Sequence, residues 1–151
     1  MVSSGAMDYR LPTTVVPQRY DLRLEPNLEA ATFAGTVSII IEVREPVTEI
    51  LLNASELVIE SAAITQDGGE PIHGSASLEE AAERARLVFP VTIAPGQARL
   101  VLRFRGTLND KLHGFYRSTY KDAAGAAHTI ASNWVAAMVW ETPEASLYVL
   151  R

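Results

Sequence analysis

Residues 33–43, FAGTVSIIIEV, constrain the fold of this chain more than any other stretch. Alternate residues form an apolar set, and the residues between them form a mixed, mostly polar set. Side chains of a β-strand point alternately to the two faces of a sheet, whereas the three- and four-residue spacing of a helix gives no clean apolar stripe here. We therefore predict a long strand buried on one face, with Ile39 and Ile41 inside. One strand cannot bury its own face, so the rest of the chain has to supply partner strands.

Several other short stretches alternate in the same way, and turn signals such as Asp67-Gly68-Gly69 separate them. These predicted strands comprise residues 20–25, 50–53, 57–64, 98–105, 115–120 and 128–131. Many short strands with almost no helical pattern predict an all-β fold, an antiparallel β-sandwich.

Two stretches are less regular. Residues 11–17, LPTTVVP, carry prolines near both ends, which predicts an extended segment at a sheet edge. Residues 78–86, LEEAAERAR, are good helix formers, but apolar and polar residues alternate from residue 84 onwards. We predict a hairpin with its turn at residues 79–83 and its second strand closed by Pro90; a one-turn helix is the alternative.

Composition narrows the function. A chain of 151 residues can bury one core, and its net charge of −5 argues against partners held by a basic surface, such as nucleic acid or an anionic membrane. The sequence has no cysteine, which excludes disulfides and favours the cytoplasm. Residues 1–10 show no secretory signal pattern, and no apolar run is long enough to cross a bilayer. We expect a cytoplasmic protein.

The chain divides into three predicted parts: a flexible N-terminus (residues 1–10), a β-sandwich domain (residues 11–131) and an apolar C-terminal segment (residues 132–151). The last part contains the runs WVAAMVW and SLYVL, which need cover from the sandwich or from another chain. The residues predicted to form this interface are Trp134, Val135, Met138, Val139 and Trp140.

The sequence offers no set of residues for catalysis or metal binding. Its three histidines, His73, His113 and His128, do not stand at the spacing of metal ligands, and there is no nucleophile elbow and no phosphate-binding glycine loop. We therefore predict no catalytic and no metal-ligating residue. An aromatic and basic patch made of Tyr116, Arg117 and Tyr120 is a candidate binding surface, although aromatic residues more often cover a core or an edge.

A series of motifs in one order resembles the start of the zinc aminopeptidases of the aminopeptidase N family. The motifs are Leu11-Pro12, Val16-Pro17, Tyr20-Asp21-Leu22 with Leu24, Phe33-x-Gly35, Ile50-Leu51-Leu52-Asn53, and Leu112-His113-Gly114-Phe115-Tyr116-Arg117-Ser118-Thr119-Tyr120. The resemblance implies a saddle-shaped β-sandwich, the non-catalytic first domain of a larger enzyme. In that family the domain walls one side of the substrate cleft and docks on a zinc-binding catalytic domain.

The chain also departs from that family. It contains neither the H-E-x-x-H zinc motif nor the G-A-M-E-N loop, and Trp134 stands near the place of a glutamine that helps to hold the substrate's amino end. We therefore expect no cofactor in this chain and no enzyme activity from it alone. Its expected partner is an aminopeptidase catalytic domain or a copy of itself, with no nucleic acid and no membrane. The alternative is a stand-alone interaction module that self-associates through its apolar tail.

Overall fold

A computed structural model describes residues 11–108 and 115–133, and the predicted flexible N-terminus and residues 134–151 lie outside these ranges. Within them every paired strand runs antiparallel to its neighbour, which confirms the all-β prediction. The elements are β1 (Val15–Asn27), β2 (Thr32–Val43), β3 (Val47–Asn53), β4 (Leu57–Thr65), β5 (Ile72–Glu79), a short 3-10 helix (Glu80–Ala82), β6 (Arg84–Ile93), β7 (Gly96–Thr107), β8 (Phe115–Lys121) and β9 (Ala127–Asn133). No helix in the described ranges is long and apolar enough to cross a membrane.

Seven strands form one curled sheet in the order β1-β2-β7-β4-β5-β6-β3, and β8 and β9 form a separate hairpin. Strand β5 makes the corner, because its first residues, Ile72 to Gly74, pair with β4 while Ser75 to Glu79 pair with β6. The sheet thus folds over on itself, and apolar residues of both arms meet in one core. This architecture is consistent with the predicted β-sandwich.

Strand β2 has the burial pattern that its sequence predicts. The alternate residues from Phe33 to Val43, including Gly35, are all buried, and the even-numbered residues between them are exposed or half-buried. On one side β2 pairs with β1, whose Tyr20, Leu22 and Leu24 are half-buried, and on the other side it pairs with β7. The predicted register of β2 is therefore confirmed.

The core contains two reciprocal aromatic–glycine pairs between β2 and β7. Phe33 on β2 lies opposite Gly106 on β7, and Gly35 on β2 lies opposite Phe104 on β7. The two rings meet edge to face, with their centroids 6.4 Å apart. A Cβ atom added to Gly35 would lie 2.4 Å from Phe104 Cζ, and one added to Gly106 would lie 2.5 Å from Phe33 Cζ. Each ring therefore occupies the space that a side chain on the opposite glycine would need.

Strand β1 forms one edge of the sheet. The Arg44 N–H donates to the Thr14 carbonyl oxygen at 2.7 Å, and since backbone groups alternate in direction along an antiparallel ladder, the even-numbered residues of β2 face β1. Pro17 and Pro26 lie opposite the odd-numbered Ile41 and Phe33. At both prolines the backbone groups of β1 therefore point away from β2. A residue at such a position donates no hydrogen bond to β2, so the missing N–H of proline breaks none.

Two local predictions need correction. Pro90 does not close its strand, because β6 continues to Ile93; the proline lies in an irregular part of the β3–β6 pairing, between the pairs Glu49–Val88 and Val47–Ile93, where its lack of an N–H is tolerated. Residues 15–17 belong to the edge strand β1, as predicted, but residues 11–17 are not extended throughout, since a turn at residues 13–14 precedes β1.

The hairpin predicted around residues 79–83 is confirmed. Strands β5 and β6 pair up to Glu79 and Arg84, and the connection contains one turn of 3-10 helix. The helix-forming residues of the ambiguous stretch thus form a single turn, which ends at Glu83 in the left-handed conformation (φ 50°). The hairpin and its alternative, the one-turn helix, each describe part of this segment.

Candidate functional site on the β8–β9 hairpin

The β8–β9 hairpin contains the described residues that come nearest to a catalytic arrangement. The strands pair from Phe115–Asn133 to Lys121–Ala127, as the sequence predicts. At the tip, the Asp122 N–H donates to the Ala126 carbonyl at 3.0 Å, and the Gly125 N–H donates to the Asp122 carbonyl at 2.9 Å. Gly125 has a φ of 85°, a conformation that glycine adopts readily.

The Asp122 carboxylate organises this turn. Its Oδ1 accepts hydrogen bonds from the N–H groups of Ala124 and Ala126, each at 2.9 Å. Its Oδ2 lies 2.8 Å from His128 Nε2. The hydrogen bond from His128, followed by those from backbone N–H groups, lowers the pKa of Asp122 below its usual value, because all of them favour the ionised carboxylate.

His128 joins the turn to the strands behind it. It lies directly opposite Tyr120, and the two rings stack with centroids 5.4 Å apart and planes 28° apart. One step further along, the hydroxyl oxygens of Thr119 and Thr129 lie 3.5 Å apart across the ladder. Cross-strand pairs of this kind stabilise a two-stranded sheet and fix its register.

The arrangement has the parts of a structural clamp. A carboxylate that orients an imidazole is found in catalytic triads, but such a triad also needs a nucleophile within hydrogen-bond reach of the other ring nitrogen. Across residues 11–108 and 115–133, no three histidine, aspartate or glutamate side chains come together in a group that could hold a metal ion. The observed contacts of the Asp122–His128 pair are with the N–H groups of the turn and with the ring of Tyr120.

Sequence reasoning missed this pair. It considered His128 as a strand residue and rejected it as a metal ligand, and it did not consider Asp122, since the contact depends on the hairpin register. The sequence did contain a signal for it. Asp122 begins a glycine-containing turn, and His128 follows that turn at a position that a hairpin can place opposite the aromatic Tyr120.

The structure describes the predicted aromatic and basic patch only in part. Tyr116 and Arg117 belong to β8, where their backbones lie opposite Ser132 and Ala131. Tyr120 is 51% exposed and lies against His128. The sequence did not predict that contact, and the patch as a binding surface stays a prediction.

Other predicted positions lie elsewhere or outside the described ranges. His73 is exposed in β5, remote in sequence from the hairpin, and His113 is outside the described residues. The proposed interface residues, Trp134, Val135, Met138, Val139 and Trp140, are outside them as well. The tail interface therefore stays a prediction.

A second charged cluster crosses the β3-β6-β5 arm. Arg86 Nη1 donates to Glu49 Oε2 at 2.7 Å, and its Nη2 and Nε donate to Glu79 Oε1 at 2.9 and 3.1 Å. These hydrogen bonds, first to Glu49 and then to Glu79, raise the pKa of Arg86 above its usual value. One guanidinium thus bridges the carboxylates of both neighbouring strands, which marks the cluster as part of the sheet's lateral structure.

Comparison with known proteins gives one consistent result. Residues 16–137 match the family model described as the Peptidase M1 N-terminal domain. The chain is 40% identical over 112 residues to aminopeptidase M1-D of Oryza sativa subsp. japonica, and 36% identical over 124 residues to the puromycin-sensitive aminopeptidase of Caenorhabditis elegans. It is 33% identical over 127 residues to endoplasmic reticulum aminopeptidase 1 of Homo sapiens.

These alignments cover 74%, 82% and 82% of this chain respectively, but only 13%, 13% and 14% of the relatives. The chain therefore spans about an eighth of the length of these relatives.

Proposed function

The chain belongs to the Peptidase M1 N-terminal domain family, and from this premise we propose that it is a non-catalytic domain that shapes the substrate cleft of a zinc aminopeptidase and docks on its catalytic domain. The observation that carries the proposal is the alignment itself, in which most of this chain matches about an eighth of proteins named aminopeptidases. The cytoplasm remains the proposed compartment, on the ground that the chain uses no cysteine.

Its side-chain chemistry supports a non-catalytic role. Hydrolysis by a zinc peptidase needs three protein ligands, an open coordination position for water and a nearby base. The sequence lacks the H-E-x-x-H motif that supplies two of those ligands and the base, and the described residues come nearest to such a set in the Asp122–His128 pair. In the proposed enzyme, zinc is held by the catalytic domain.

The first test is activity of the chain alone. With an aminoacyl chromogenic substrate and added zinc, we expect only background hydrolysis. Turnover that a chelator abolishes, and that His128→Ala also abolishes, would make the chain an enzyme of its own. Asp122→Asn serves as a second variant, because it keeps the shape of the side chain while weakening the pair with His128.

The second test is docking. Rice aminopeptidase M1-D, shortened by the segment that aligns with this chain, provides a catalytic partner, and its own N-terminal segment provides the positive control. We expect this chain to bind the shortened enzyme and to raise its hydrolysis of aminoacyl substrates. If the rice segment restores activity while this chain neither binds nor stimulates, the docking proposal is wrong.

A second candidate follows from the sequence of residues 134–140, an apolar run that needs cover from the rest of the chain or from another chain. We propose self-association through Trp134, Val135, Met138, Val139 and Trp140 as the alternative function. Light scattering and tryptophan fluorescence test it: a strict monomer with both tryptophans exposed to solvent contradicts this alternative and leaves the docking proposal untouched.

A further inference from the structure

We propose that β1 pairs with β1 of a second copy of this chain, antiparallel and about a two-fold axis at Leu22, through the edge to which no strand of residues 11–108 or 115–133 is paired. This inference does not rest on the docking proposal, and charge variants of β1 distinguish it from self-association through the apolar tail. It rests on three features of β1: its charge pattern, the direction of its backbone groups and the position of its prolines.

The charges on β1 alternate in sign along one face. Arg19, Asp21, Arg23 and Glu25 all point to the outer face of the sheet, since the intervening Leu22 and Leu24 point inward and pack on the core. They form ion pairs along the strand, Arg19 with Asp21 at 2.9 Å and Arg23 with Glu25 at 2.8 Å. All four side chains are more than half exposed, so exchanging these partners for others costs little.

Such a pattern complements itself when the strand is paired antiparallel with its own copy. With Leu22 opposite Leu22 of the second copy, Arg19 lies opposite Glu25 and Asp21 lies opposite Arg23. The two-fold axis repeats both pairs, so every charge on the face meets one of opposite sign. An interface of this kind is isologous, and opposite charges directly across a ladder are favourable.

The charges also select this register. Centring the pairing on Arg23 would place Arg23 opposite itself and Asp21 opposite Glu25, and centring it on Asp21 would place two aspartates together. Pairing about Leu22 is the arrangement that satisfies all four charges. Sheet edges with a buried face specify their register strongly, because a slip of one residue turns every side chain to the wrong face.

The backbone of β1 agrees with the same register. Because the even-numbered residues of β2 face β1, the residues Arg19, Asp21, Arg23 and Glu25 direct their N–H and C=O groups toward β2. Leu22 and Leu24 direct theirs toward the free edge, where no strand of residues 11–108 or 115–133 pairs with them. Leu22 can therefore exchange both of its hydrogen bonds with Leu22 of the second copy.

The prolines mark the limits of this pairing. Pro17 and Pro26 both face outward and have no N–H to offer, so they bound a seven-residue segment, residues 19–25, that can continue the sheet. The irregularity between Pro17 and Arg19 is what brings both prolines to the outer side. Prolines and charges commonly protect edges from unspecific pairing, and here they leave one segment that is complementary to a second copy of itself.

Charge reversal in sedimentation experiments with the full chain tests the proposal. In the proposed dimer, residue 21 of each copy lies opposite residue 23 of the other. Asp21→Arg therefore creates two arginine–arginine contacts, and Arg23→Asp creates two aspartate–aspartate contacts. We expect each variant alone to associate on the order of tenfold or more weakly than the unaltered chain. Far-UV circular dichroism checks that the fold is retained, and Arg99→Asp on the exposed face of β7 is the matched control, expected to leave association unchanged.

The decisive measurement mixes the two variants. An equimolar mixture of Asp21→Arg and Arg23→Asp restores four opposite-sign pairs in the mixed dimer, and the double variant Asp21→Arg with Arg23→Asp restores them in a dimer of its own. We expect both samples to associate as the unaltered chain does, and added salt to weaken all of them.

The opposite results overturn the proposal. An unaltered chain that stays monomeric at high concentration rules the pairing out. So does association that neither single variant weakens, since contact through the apolar tail is indifferent to charges on β1. A mixture of the two variants that fails to associate would show that Asp21 and Arg23 do not meet across the interface.

Discussion

Replacing Gly35 by alanine tests the reciprocal aromatic–glycine packing, because two elementary effects predict opposite signs. Glycine inside a strand usually costs about 0.5–1 kcal/mol relative to alanine, so strand propensity alone predicts that Gly35→Ala stabilises the fold. The structure predicts the reverse, since the new Cβ would lie 2.4 Å from Phe104 Cζ and 3.0 Å from Leu24 Cδ2. Ordinary carbon contacts are about 3.5–4 Å, so the ring has to move by about 1 Å.

Phe104 has little room for that movement. It is 1% exposed, and its ring is in edge-to-face contact with Phe33. Overpacking of a closed core costs about 1–3 kcal/mol. Subtracting the propensity gain leaves a net loss of about 0–2.5 kcal/mol. Because Phe104 has little room to move, we expect Gly35→Ala to lower the free energy of unfolding by about 1–2 kcal/mol within that range, which for a domain of this size lowers the melting temperature by about 2–8 °C.

Urea unfolding of a double-mutant cycle measures the effect. Phe104→Leu removes the far end of the ring and is costly by itself, but it opens the space that the new methyl group at position 35 needs. Gly35→Ala should therefore cost at least about 1 kcal/mol less in the Phe104→Leu background than in the unaltered chain. Gly35→Ala that leaves stability unchanged or raises it, or a cycle without coupling, would refute the proposed packing.

Three further predictions follow from residues already described. Ile39→Ala should cost about 2–5 kcal/mol in urea unfolding, since it empties a buried position on β2; a loss under about 0.5 kcal/mol would mean that the register is wrong by one residue. Ser38→Ala should leave stability unchanged or raise it by up to about 1 kcal/mol, because the buried Ser38 Oγ has no hydrogen-bond partner among the described residues; a clear loss would reveal such a partner. The pKa of Asp122 is lower in the folded state than in the unfolded state, so the stability that its carboxylate gives the hairpin is fully present above the unfolded pKa and is lost as pH falls through the folded pKa. The NMR amide shifts of Ala124 and Ala126 should report this loss of stability. In His128→Ala the same transition should occur at a higher pH, because the hydrogen bond that contributes most to the lowered pKa is gone.

Alternation of apolar residues predicted most of the sheet correctly, because burial on one face leaves a direct mark on the sequence. Strand β2 and the half-buried side of β1 are the clearest cases. The sequence did not predict that β5 pairs with β4 at one end and β6 at the other. That exchange depends on contacts between distant strands, and no local pattern records it.

Pro90 is a second case in which a local sequence signal did not determine the pairing of strands. Pro90 was expected to end a strand, because proline disrupts a ladder when the pairing is regular. In the structure the pairing near it is irregular, and β6 continues. Whether a proline ends a strand therefore depends on what the neighbouring strand does at that point.

The hairpin site was the least predictable part. The predicted order of strand, turn and strand between residues 115 and 131 is confirmed, and it follows from the local pattern of strand-forming and turn-forming residues. The contact between Asp122 and His128 is a consequence of register, which places a residue after the turn beside the residue that begins it. Single-sequence patterns specify elements well, but they specify side-chain pairs across elements poorly.

The sheet order has a consequence for how the protein is made. Strand β7 lies between β2 and β4, although both of these strands precede it in the chain. More than fifty residues separate Val43 from its partner Gly96, so at roughly 5–20 residues per second a ribosome needs about 3–10 s after β2 is complete to reach the start of β7. During that interval the apolar face of β2 is without its central partner, and the core closes only when the last strand of the main sheet is inserted. The nascent chain is thus most vulnerable to aggregation in the seconds before β7 emerges.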